Sequence, residues 1–86
     1  MSMEWIEETT TMMVGDTEKV RWVDHVLLWN NFVILKMTTN NGKVYMFGEA
    51  PRKYKDRDFS FMRTFMGRED IDQVKQEIID LLKTKQ

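Results

Sequence analysis

The stretch Val20-Arg21-Trp22-Val23-Asp24-His25-Val26-Leu27-Leu28-Trp29-Asn30-Asn31-Phe32-Val33-Ile34-Leu35 decides how this chain folds. At a period of two, Val20, Trp22, Val26 and Leu28 share a face with Asp24, and Val23, Leu27 and Trp29 share the other with Arg21 and His25. At a period of 3.6, the apolar residues gather on one half of a helical wheel opposite Arg21, Asp24 and His25. Asn30-Asn31 selects the strand. Both residues tolerate positive φ, and they stand between Val26–Trp29 and Phe32–Leu35 as a two-residue hairpin turn requires. A helix over residues 17–29, giving a βαβββα order, is the alternative.

Working outward, Asn41-Gly42 is a strong type I′ turn signal that divides Phe32–Thr38 from Lys43–Phe47 and makes a second hairpin. Upstream, the β-branched and bulky residues between Trp5 and Val14 predict a first strand that stops at Gly15-Asp16. Downstream, Gly48–Arg57, with the only proline at Pro51, reads as a basic loop. Asp58–Phe65 then reads as a fifth strand with Phe59, Phe61 and Phe65 on one face, interrupted by Arg63. Ile71, Val74, Ile78, Leu81 and Leu82 form a helical stripe, Asp70 and Gln73 have capping-box spacing, and Lys83 and Lys85 suit the helix end. The helix should begin near Asp70. The expected class is α+β: an antiparallel meander of about five strands covered on one face by a C-terminal α-helix.

Composition limits what such a fold does. Eighty-six residues make one compact domain, residues 1–86, and Val, Ile, Leu and Phe supply 22 of them, enough to fold around a thin core. Without cysteine there is no disulfide, thiolate metal site or cysteine nucleophile, which fits a cytoplasmic location. The apolar runs are too short to span a bilayer, and acid near the amino terminus is wrong for a secretory signal, so no membrane partner is expected. The net charge of −1 hides an asymmetry: residues 1–18 hold five acids and no Lys or Arg, whereas residues 52–68 hold six bases against Asp56 and Asp58. Mutual neutralisation of these two segments is the plainest consequence.

The inventory argues against catalysis. His25 is the only histidine, its neighbour Asp24 points to the opposite face of a strand, and the threonines have no assigned place, so a structural role is expected for it. One His and no Cys make zinc improbable, the acidic pairs lack cation-site spacing, and the four glycines are isolated rather than gathered into a phosphate loop. No enzyme activity, catalytic residue, metal or cofactor is expected. Three tryptophans, two tyrosines and eight methionines instead supply contact residues for an adaptor or inhibitor that binds a protein partner or forms a homo-oligomer. Trp5, Trp22 and Trp29 are the candidate sheet-face contacts, Trp22 and Trp29 being on opposite faces. Arg52, Lys53, Tyr54, Lys55 and Arg57 form the candidate loop contacts, with Arg63 beyond them. Basic residues interleaved with aromatics over residues 52–65 also suit single-stranded nucleic acid or a phosphate ligand, the alternative function.

Overall fold

The computed structural model describes residues 3–16, 18–48 and 60–84. Strands β1 (Met3–Val14), β2 (Glu18–Trp29), β3 (Phe32–Asn40) and β4 (Lys43–Gly48) form one antiparallel sheet in the order β1-β2-β3-β4. A 3-10 segment, Ser60–Phe65, and helix α1 (Ile71–Thr84) follow. The class is α+β, a meander with a C-terminal helix.

The turns explain why residues 18–29 are extended rather than helical. Asn30 and Asn31 have φ of 49° and 67°, and Asn41 and Gly42 have φ of 49° and 84°. Two consecutive positive φ values match the right-handed twist of the flanking strands, so each pair closes a tight hairpin and commits its neighbours to pairing. Trp29 then faces Phe32, and Asn40 faces Lys43. The helical alternative for residues 17–29 is therefore set aside over the described part of that range.

Two bulges shape β3 and β4. Leu27 pairs with Leu35 and Leu28 with Val33, so Ile34 is an extra residue, and Ile34 and Leu35 are both buried although adjacent. Thr39 pairs with Val44 and Thr38 with Met46, which leaves Tyr45 as the second extra residue. β2 pairs with β1 along its whole length but with β3 only from Trp22 onward, so the ends of β1 and β2 run past the sheet as a two-stranded ribbon.

The core lies on one face only. Leu27, Leu35 and Met37 from the sheet meet Val74, Ile78 and Leu82 from α1, all fully buried. The i, i+4, i+8 spacing of the helical three is the stripe that the sequence displays. Asp70 accepts the Val74 N–H through its carbonyl oxygen at 2.9 Å, the position of a helix N-cap. Its carboxylate accepts from Arg68 Nε at 3.0 Å, and Arg68 Nη2 also lies 2.6 Å from Glu77 Oε2, so one guanidinium holds the chain entering α1 to the helix itself.

The expected fifth strand is not formed by residues 60–65. Met62 and Phe65, three apart, both reach the core, which a 3-10 turn with three residues per turn allows and a strand does not. The edge it needed is also occupied. Gly67, at φ 82°, donates its N–H to the Val44 carbonyl at 2.8 Å, and the Val44 N–H donates to the Arg68 carbonyl at 2.9 Å. Phe65 is 3% exposed and belongs to the core, while Phe59 lies outside the described residues.

Candidate functional site

The face of the sheet opposite α1 has no described layer over it. Alternation along β2 puts Trp22, Val26 and Leu28 there, half-buried by their neighbours, and pairing carries the face to Ile6 on β1 and Val33 on β3. Tyr45, displaced by its bulge, meets Trp22 edge to face with ring centroids 5.1 Å apart and planes at 82°. Ile6 is 41%, Met46 47% and Tyr45 52% exposed. Polar residues alternate with the apolar rows: Glu8 and Thr10 of β1 stand opposite Asp24 and Trp22, and Thr38 Oγ1 donates to Asp24 Oδ1 at 2.7 Å. Exposed Lys36 stands in the row of Val26 and Ile6.

The candidate contacts read from sequence divide between the two faces. Trp22 is on the uncovered one. Trp5 and Trp29 pack against the core beneath α1, and Lys75 Nζ lies 5.8 Å from the centre of the Trp5 ring. Trp5 parity follows from its pairing with Leu27, a register that no local signal announces. Arg63 is exposed in the 3-10 segment, and Arg52, Lys53, Tyr54, Lys55 and Arg57 lie outside the described residues. Sequence reasoning passed over Tyr45, although counting from the Asn41-Gly42 turn places it opposite Thr38 and hence on the face of Trp22. Met46 is on this face, whereas Met37 is fully buried on the other side.

A second cluster sits beside the start of α1. β1 brings Glu7 opposite His25 of β2, and β3 brings Met37 opposite His25 with Thr39 two residues along. His25 is 5% exposed; its Nε2 is 3.3 Å from Thr39 Oγ1, and its Nδ1 is 3.2 Å from Glu7 Oε1. The Nδ1 contact is a close approach without hydrogen-bond geometry. Lys75 Nζ donates to Glu7 Oε1 at 2.7 Å. Glu7, Arg21, His25, Thr39 and Asp72 are among the residues lining a shallow cleft of about 210 Å³.

The electrostatics favour a neutral imidazole. Burial pushes the His25 pKa below its ordinary 6.5, and the Lys75 charge pushes the same way, while Glu7 and Asp24 oppose them. The Lys75 ammonium, by hydrogen bond and then by charge, holds the Glu7 carboxyl below its ordinary 4.5. Hydroxyl, imidazole and carboxylate stand in the order of a nucleophile, base and orienting acid. Thr39, however, is 2% exposed and its hydroxyl also lies 3.4 Å from the Val23 carbonyl, so a substrate carbonyl has no approach to Oγ1 in this arrangement. Among the described residues no group of three His, Cys, Asp or Glu side chains is placed to hold a metal.

A pH prediction follows from the direction of the His25 shift. The unfolded chain binds a proton near pH 6.5 and the folded chain only at lower pH, so stability is full above that value and falls as acid titrates His25. His25→Gln should flatten this part of the thermal-melting profile and leave the Glu7-linked loss, which begins only below about pH 4.5. Equal slopes in both proteins between pH 7 and 5 would contradict it.

No family model, curated protein or solved structure matches this chain. Among the described residues no helix is long and apolar enough to cross a membrane.

Proposed function

We propose that this chain is a non-enzymatic interaction protein, an adaptor or inhibitor, that binds protein through the sheet face opposite α1. The supporting observation is the Trp22–Tyr45 pair, set among Ile6 and Met46 on a face that no described element covers. Scattered exposed apolar residues are ordinary, but a Trp–Tyr pair that shares one open face with Met46 and with the Ile6–Val26 and Leu28–Val33 pairs has the residue types that interfaces favour. The basic residues of the 52–57 segment and exposed Arg63 would add charged contacts. The nucleic-acid alternative is weakened because Phe65, one of the aromatic residues of its 52–65 segment, is in the core. A cytoplasmic location suits a chain that has no cysteine to oxidise.

The test is position-specific. A photo-crosslinking benzoylphenylalanine at position 45 should join the chain to protein, either its own copies or another protein in extracts of the cells that make it. The same group at Asp80, exposed on α1, should not. Excess wild-type chain should compete and a Trp22→Glu chain should not. Equal labelling from both positions, or none from 45, would refute this assignment.

A further inference from the structure

We propose that the occupant of the uncovered face is a second copy of this chain, its sheet stacked on the first about a two-fold axis that runs parallel to the strands. This rests on the reading that the face binds protein, and it adds which protein and in what orientation.

The first argument is size. Four strands about 4.8 Å apart, taken over some nine residues at about 3.3 Å each, give a footprint on the order of 500 Å². A side-chain surface is larger than its plan, so this face can supply roughly the 800 Å² per partner of a standard stable interface. A chain of 86 residues has a thin core, and its buried cluster lies wholly on the α1 side of the sheet. Stacking two such sheets about 10 Å apart would give a helix–sheet–sheet–helix assembly in which both faces of each sheet are covered.

The second argument is charge, and it selects the orientation. Glu4 and Glu8 are exposed on β1, on either side of Ile6, and β1 is an edge strand; Lys36 is on β3 in the row of Ile6. An axis across the strands would lay β1 on the partner's β1 and set these acids against their own copies. An axis along the strands lays β1 on the partner's β4. Rows are then preserved, and Lys36 of each copy comes one strand in from β1 of the other, between the rows of Glu4 and Glu8 and beside Asp24. Lys36 then meets acids of the partner, whereas the other axis sets acid on acid along β1, and like charges held together across an interface are strongly disfavoured.

Light scattering of the purified full chain, from roughly 1 to 500 µM, should show a monomer–dimer equilibrium. Lys36 is exposed, so Lys36→Glu leaves the fold intact by circular dichroism, and it should raise the dimer dissociation constant about tenfold or more. Glu4→Lys combined with Glu8→Lys should do the same. Mixed in equal amounts, the two variants should restore a dimer of one copy of each, because both of its charge contacts are then of opposite sign. A dimer indifferent to Lys36→Glu, or variants that fail to rescue each other, would overturn the proposal. A chain monomeric throughout would overturn it too, and the position-45 crosslinker then reports the true occupant. Adducts to a different protein would leave the binding face standing, adducts within the chain to residues 49–59 would identify self-coverage, and no adduct would remove the binding face as well.

Discussion

Leu27→Ala should cost the fold about 2–5 kcal/mol, whereas Leu28→Ala, one residue further along the same strand, should cost the isolated chain no more than about 1.5 kcal/mol. The contrast is a property of sidedness. Leu27 is fully buried with Leu35 and Met37 under Ile78 and Leu82, so truncation leaves a cavity walled by two layers that cannot both collapse into it. Leu28 points away from α1 and is already half in contact with solvent, so less surface transfer is lost and no closed cavity forms. Domains carry about 0.05–0.15 kcal/mol of stability per residue, so the Leu27 variant has little reserve and should be partly unfolded at 37 °C. Urea titrations followed by circular dichroism at low protein concentration would measure both. Equal costs would mean that the helix-covered face has been misassigned. If copies stack, the Leu28 penalty should grow with protein concentration, since association lends stability only to the folded chain, and the Leu27 penalty should not change in this way.

The same sidedness shows what sequence can and cannot convey. Trp22 and Trp29 are separated by strand parity, and parity needs only local information once Asn30-Asn31 identifies β2 as a strand. The helical stripe from Ile71 to Leu82 is local in the same sense. The fifth strand fails because its outcome is decided elsewhere. Phe59, Phe61 and Phe65 alternate acceptably, but Gly67 and Arg68 already hold the backbone of Val44, and the Met62–Phe65 spacing serves a 3-10 turn equally well. Charge was legible in sign and not in partner. The acids of residues 1–18 suggest neutralisation by residues 52–68, yet Glu7 is matched by Lys75 of α1, a pairing fixed only after β1 and the helix have taken their places. The cluster around His25 is non-local throughout, since Glu7, His25, Thr39 and Lys75 come from four different elements.

Thr39→Val should cost about 1–3 kcal/mol, because it keeps the shape of a buried side chain while leaving His25 Nε2 without its partner. Thr38→Val is the internal control. It also removes a hydroxyl from β3, but on the opposite face, where Asp24 is only partly buried and can turn to water, so its cost should stay near 1 kcal/mol or below. The two substitutions should also differ in their effect on acid sensitivity. Thr39 Oγ1 donates to the Val23 carbonyl and can accept a proton from His25 Nε2, which the imidazolium always carries and the neutral ring carries only in its Nε2 tautomer. Valine removes this acceptor from both forms of the ring, but the charged form loses the stronger bond. The His25 pKa, already lowered by burial, should therefore fall further in Thr39→Val, and the stability lost on acidification below about pH 6.5 should be greater and extend to lower pH than in the unaltered chain. Titration of the imidazole carbon-bound protons by NMR reads the first effect, and melting temperature against pH reads the second. An unchanged or raised His25 pKa in the Thr39 variant would show that the hydroxyl does not serve the imidazolium. A cycle with His25→Gln then separates the hydrogen bond from simple repacking: direct contact predicts a coupling of about 0.5–3 kcal/mol between positions 25 and 39, and additive costs would mean that each side chain merely fills space.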